Sequence, residues 1–239
     1  MAKPKPAYKR VLLKLSGESM CPDGGQGIDP PAVARIAMEI RSAAETGAQL
    51  AVVIGGGNIC RGHVLAAAGL HRAVCDHMGM LATVINALAL QDALEKLGLE
   101  VRVQTAIAMA DVAEPYIRRR CIAHLEYGRL CILAAGTGNP FFSTDTAAVL
   151  RAREIGASIL LKATKVDGVY DDDPMKNPKA KLFKTITARK ALDQNLRVMD
   201  MTALTMAIEG KLPILVFNLR KPGSIRRAVF GEKIGTLVS

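Results

Sequence analysis

Short apolar, β-branched segments alternate along this chain with longer stretches of helical periodicity, and this alternation is the strongest constraint on its fold. Strands are predicted over residues 10–16, 49–57, 100–107, 129–136, 157–164 and 212–218. Helices are predicted over 30–46, 64–97, 114–126, 144–155 and 200–209, with Gly47, Gly98, Gly128, Gly156 and Gly210 as helix stops. Strand–helix alternation of this kind implies an α/β protein, a three-layer αβα sandwich with a mostly parallel central sheet. No Pro/Gly/Ser-rich linker or internal repeat divides the 239 residues, so a single domain spanning 1–239 is expected. The one irregular polar stretch, residues 166–183, reads as a long functional loop within that domain.

Composition narrows the class further. Half the residues are hydrophobic and 23% are charged, as in soluble globular proteins. No uninterrupted apolar run approaches the ~20 residues of a membrane span, and the basic start MAKPKPAYKR lacks the apolar core of a secretory signal. Five cysteines without a CxxC pair suit reduced thiols in the cytoplasm. The net charge of +10 invites a nucleic-acid reading. The basic residues are dispersed, however, and there is no Trp and no aromatic–basic interleaving, so nucleic acid is not expected as a partner. No histidine pair has metal-ligand spacing, and no protein-held metal site is expected.

In an open parallel sheet, ligands sit beyond the carboxyl ends of the strands, so the residues following each strand carry the chemistry. Lys14 interrupts the apolar run RVLLKLSGE, where an unpaired charge is costly. The triplet Gly55–Gly57 follows the second strand and admits close approach of phosphate to backbone amides, with Arg61 just beyond as a cationic fork. A plain structural turn explains such a triplet about as well. Neither GxxxxGK[ST] nor GxGxxG is present. In GTGNPFFSTDTA, Ser143, Thr144 and Asp145 stand where helix caps stand, while Phe141 and Phe142 are suited to walling a flat base. Lys162 lies near the end of the fifth strand, ahead of the acidic run in VDGVYDDDP. Asp200 reads as either a helix cap or a polar active-site group.

Together, LLKLSGE, VVIGGGN, DHMGMLAT, GTGNPFFSTD, KATKVDGVY and VMD resemble the amino acid kinase superfamily and, within it, the bacterial uridylate (UMP) kinases. The resemblance runs from about Tyr8 to Leu237. It implies transfer of the γ-phosphoryl group of Mg-ATP to UMP, in the cytoplasm, as a step of pyrimidine nucleotide synthesis. The N-terminal part would serve mainly the acceptor and the C-terminal part ATP. By similarity, Lys14, Leu15, Ser16 and Gly17 would contact the ATP phosphates with Gly57 and Arg61. Thr164, Tyr170 and Asp173 would hold the adenine nucleoside. UMP would be held by Gly56, Asp76 and the run Thr137, Gly138, Asn139, Pro140, Phe141, Phe142, Ser143 and Thr144. Lys14, Arg61, Asp145 and Asp200 would form the catalytic set, with Mg²⁺ held mainly by the nucleotide. The resemblance also implies a homohexamer activated by GTP and inhibited by UTP. Pro22, Asp23, Gly24, Gly25, Gln26 and Gly27 align with the segment tied to the GTP response. Cys60 departs from the aromatic residue often found before the arginine.

Two rival readings fit part of the same sequence. A carboxylate kinase of the same superfamily would share Lys14 and the glycines, but GTGNPFFSTD and the lack of a second lysine near Asp200 speak against it. A nucleotide-sensing regulator without turnover would draw on the basic charge.

Overall fold

The computed structural model describes residues 5–22, 24–196 and 198–239. All six predicted strands form: β1 Arg10–Leu15, β2 Gln49–Ile54, β3 Val101–Thr105, β5 Leu130–Ala134, β6 Ile159–Thr164 and β8 Ile214–Asn218. Three short ones join them: β4 Glu114–Pro115, β7 Thr185–Ile186 and β9 Thr236–Val238. They make one sheet in the order β4-β3-β5-β2-β1-β6-β8-β9-β7. Pairing is parallel except between β8 and β9, so the β9–β7 edge runs against the rest. The β1–β2–β6 centre is therefore flanked on both sides, and its strand ends open at one rim.

The helices are α1 Pro30–Ala44, α2 Gly62–Ala67, α3 Arg72–Lys96, α4 Arg118–Glu126, α5 Thr144–Ile155, α6 Ala188–Asp193, α7 Met201–Glu209 and α8 Ser224–Val229. Two predictions need correction. The helix expected over 64–97 is two helices, α2 and α3, separated by a break at Gly69 with φ +102°, a left-handed conformation that suits glycine. The helix expected from 114 starts only at Arg118, because Glu114 and Pro115 extend the sheet edge, where a proline is tolerated.

Strand alternation sorts the core into two layers. Val11, Leu13 and Leu15 face a cluster with Ile36 and Ile40 of α1, Leu90 and Leu94 of α3, and Ile225 of α8. Leu12 and Leu160 face the other way, onto Leu125 of α4, Val149 and Ala152 of α5, and Leu204 of α7. Each layer removes one face of the sheet from water, at roughly 25 cal/mol per Å² of apolar surface. Among the described residues, α3 alone is long and apolar enough to cross a membrane by length and composition. Its Ala87, Leu90 and Leu94 are buried in the core.

Candidate active site

The alternation that places Leu12 toward α5 places Lys14, two residues on, toward the same side. In register on the neighbouring strand, Lys162 stands directly beside Lys14. Two adjacent cations at buried strand ends repel, and the fold answers with Asp145 from the first turn of α5. Lys14 Nζ lies 2.7 Å from Asp145 Oδ1, an ion contact off the hydrogen-bond direction, and Lys162 Nζ donates to Oδ2 at 2.7 Å. Lys162 also donates to the Val198 carbonyl. Burial opposes ionisation of Asp145, but the two lysine charges outweigh it and hold the carboxyl below the usual carboxylate range. Burial lowers the pKa of Lys162, and Asp145 offsets this only in part. Lys14 thus meets a carboxylate.

Capping is done by other side chains. Ser143 is the N-cap of α5, its Oγ accepting from the Asp145 and Thr146 amides at 3.0 and 3.2 Å. Asp145 is therefore not the cap that its position also allowed. Asp200 is the N-cap of α7, accepting from Ala203 N at 2.9 Å, and it also accepts from the Thr146 hydroxyl at 3.0 Å and from the Ser143 hydroxyl. Asp200 thus caps α7 and also lines a cavity.

The glycine triplet divides by role. A Cβ on Gly56 would lie 2.7 Å from Gly79 O and 2.8 Å from Ala82 Cβ, so glycine there lets β2 close onto α3. Gly17 is likewise crowded by Gly55 O and Asn58 Oδ1 at 2.5 and 2.4 Å. Only Gly57 faces open space, and it lines the cavities. Packing thus explains Gly56 and Gly17, while Gly57 is left open to the cavity.

Two large cavities meet at this rim. One, of about 600 Å³, is lined by Gly57, Arg61, Asp76, Phe141, Phe142, Ser143, Thr144 and Asp200. A recess of about 120 Å³ adjoining it takes in Gly56, Cys60 and Thr137. Within the first, Asp76 accepts from the Phe141 amide at 2.8 Å and pairs with Arg72 at 2.9 Å, so α3 holds the aromatic loop in place. The other, of about 920 Å³, is lined by Lys14, Ser16, Lys162, Thr164 and Lys165, with α1 as its far wall. Lys14 and Lys162 open into the second cavity while Thr144 and Thr146, either side of Asp145, open into the first. The charge cluster forms the partition.

Several predicted residues take other positions. Leu15 is fully buried in the core, so only its backbone is available to a ligand. Gly138, Asn139 and Pro140 line none of these cavities, nor do Tyr170 and Asp173. Tyr170 bridges to Leu182 across the long loop. In the proposed effector segment, Gly25 N bonds Pro22 O at 2.9 Å, and Gly24 and Gly27 have left-handed φ values. Gln26 lies between them, and Asp23 falls outside the described residues. Gly27 N bonds Asn58 O at 2.8 Å, which ties the segment to the glycine turn. Lys162, noted at its strand end, has no role in the site predicted from sequence. Its signal was present, since Leu12-Leu13-Lys14 and Leu160-Leu161-Lys162 repeat one pattern on paired strands.

These features define a class: an open-sheet α/β protein with a buried lysine–aspartate–lysine cluster standing between two cavities at the strand ends. The chain belongs to the amino acid kinase family, which it matches over residues 9–218. It is 58% identical over 232 residues to a uridylate kinase of Xanthomonas oryzae pv. oryzae, covering 97% of each chain. Its fold is similar to the UMP kinase of Bacillus anthracis, with a TM-score of 0.94 and 42% identity over 97% of this chain and 96% of that one. The UMP kinase of Ureaplasma parvum is also similar, with a TM-score of 0.90 and 37% identity over 97% and 98%.

Proposed function

We propose that this chain phosphorylates UMP to UDP with Mg-ATP, a step toward UTP and CTP. The observation that carries the reading is the Lys14–Asp145–Lys162 cluster standing between two cavities, each large enough for a nucleotide. Phosphoryl transfer requires positioning and charge neutralisation more than covalent participation by the protein. A UMP phosphate oxygen, already ionised at neutral pH, attacks the γ-phosphorus; the bond to the β,γ-bridging oxygen breaks and ADP leaves. Lys14 faces the charge that builds on the transferring group, and Asp145 holds it in place without reorganisation. Lys162 supplies the second cation from the adjacent strand. Asp76, Phe141 and Phe142 form the acceptor side, and Ser16 and Thr164 the ATP side, within one domain.

Among the described residues, no three His, Cys, Asp or Glu side chains gather to hold a metal. Asp145 and Asp200 are already engaged by lysines and hydroxyls. This donor set fits Mg²⁺ held by phosphate and water oxygens, where it neutralises phosphate charge. A cytoplasmic location belongs to the same reading. Self-association, to a hexamer by family likeness, has a surface available on α3, where Val74, Met78, Leu81 and Ile85 form an exposed apolar stripe. GTP activation and UTP inhibition complete the reading, with residues 22–27 as the responsive segment.

The test is ADP release coupled to a detection system, with UMP, CMP and acetylglutamate offered in turn, with and without GTP. UDP formation with UMP is expected. Turnover with acetylglutamate alone would make the chain a carboxylate kinase, and UMP binding without turnover would make it a sensor.

A further inference from the structure

Glu18 lines both large cavities, and no role has been assigned to it. It sits on the 3-10 turn Gly17–Met20 that follows β1. One carboxylate oxygen accepts from Arg61 Nη2 at 2.6 Å, and the other lies 3.4 Å from Lys165 Nζ. These cations come from different loops, one after β2 and one after β6. A single carboxylate therefore spans the mouth between the two cavities and draws both cations toward it.

Two properties make this contact exchangeable. Its members are about half exposed, with side-chain exposures of 37% for Glu18, 52% for Arg61 and 43% for Lys165. Water screens an exposed pair of this kind, so it is held weakly. A phosphate group offers the same geometry as a carboxylate, with more charge, to the guanidinium fork. The buried cluster behind it has neither property.

We infer that Glu18 is a positioning residue that occupies, in the free protein, the place of a nucleotide phosphate between Arg61 and Lys165, and that incoming phosphate displaces it. The inference rests on the proposed function, since it takes the two cavities as nucleotide sites. Before binding, Glu18 keeps Arg61 extended across the mouth. After displacement its charge faces the phosphates and opposes their retention, which favours release of product. The residue thus trades affinity for turnover, by competing for the same cations as the ligand.

The experiment measures ADP and inorganic triphosphate binding by calorimetry, with and without Mg²⁺ and with no acceptor present, in wild type, Glu18→Gln and Glu18→Asp. Removing the competing charge in Glu18→Gln is expected to tighten both ligands about tenfold, the scale of one charge-assisted hydrogen bond. Glu18→Asp, which keeps the charge, is expected to stay nearer wild type. In steady state, KM for ATP should fall in Glu18→Gln without a rise in kcat. Equal affinity in wild type and Glu18→Gln overturns the inference, as does a weakening confined to Mg²⁺-containing samples, which would make Glu18 a metal-holding group. A wild-type protein that binds neither ligand would refute the function reading itself, and so is distinguishable.

Discussion

The two sides of the rim hold their charges in opposite ways. At the strand ends, Lys14, Asp145 and Lys162 have side chains only 11%, 16% and 14% exposed and are locked at 2.7 Å. At the mouth of the first cavity, Arg61 and Arg72 are each about half exposed and pair with Glu18 and Asp76. Desolvation makes the first set strong and unforgiving, since each member is stable only with its partners. Water screening makes the second set weak and replaceable. The rigid cluster is thus anchored on paired strands and the first turn of α5, and the exchangeable pairs on loops and the start of α3.

Substitutions test this contrast directly. Asp145→Asn should have the largest effect, because it leaves two buried lysines facing each other. Unfolding free energy should fall by about 3–5 kcal/mol in urea titrations, and kcat should fall roughly a hundred- to a thousandfold in the residual folded protein. A change confined to one of the two would break the account of the cluster. Lys14→Met removes a cation but leaves Asp145 paired with Lys162. It should lower kcat roughly a hundredfold or more while melting temperature moves much less than in Asp145→Asn. Arg61→Met should fall well short of that loss.

The next effect is on pH dependence. Lys162 has a lowered pKa in the folded protein, so its proton is lost below the usual lysine range. Folding then releases a proton between its folded and unfolded values, and this group makes stability rise with pH there while activity falls. The alkaline limb of kcat should begin below the ordinary lysine range and shift upward in Lys162→Arg. For Asp145 the slope has the same sign at the acid end: its contribution is complete above the usual carboxylate pKa and is lost as pH falls through its lowered folded value. On the acceptor side, Asp76→Asn should raise KM for UMP about tenfold with kcat nearly unchanged, the scale of one charge-assisted bond to the Phe141 amide. Smallest of all, Ser143→Ala removes the α5 cap and should lower stability by about 1 kcal/mol.

The fold was legible because each central strand is apolar on both faces and each helix carries its own stop. What escaped was short or set by tertiary contact. β4, β7 and β9 have two or three residues, and α6 and α8 six, too few to show a period. The break at Gly69 was masked by apolar residues on either side. In the site, Lys14 stood out as a charge in a buried run, but its partner could not be read from sequence, because 131 positions separate it from Asp145. Lys162 carried the same mark as Lys14 and was passed over for the more conspicuous acidic run after it. The packing roles of Gly17 and Gly56 were invisible, because they depend on how closely β2 approaches β1 and α3.

The glycine turn is pinned from behind by two carboxamides. Asn86 Nδ2 donates to Gly55 O at 2.8 Å and to Asn58 Oδ1 at 2.7 Å, and Asn58 Nδ2 returns a bond to Asn86 Oδ1 at 3.0 Å while reaching Gly27 O at 2.7 Å. Both residues are almost wholly buried, at 2% and 0% exposure. Their amide protons exchange with solvent only when β2, α3 and the Gly27 segment part. Two side chains thus serve as a native spectroscopic probe. Their exchange rates, read by NMR without any label at the rim, would report how often the floor of the site opens and whether a nucleotide bound at either end slows it.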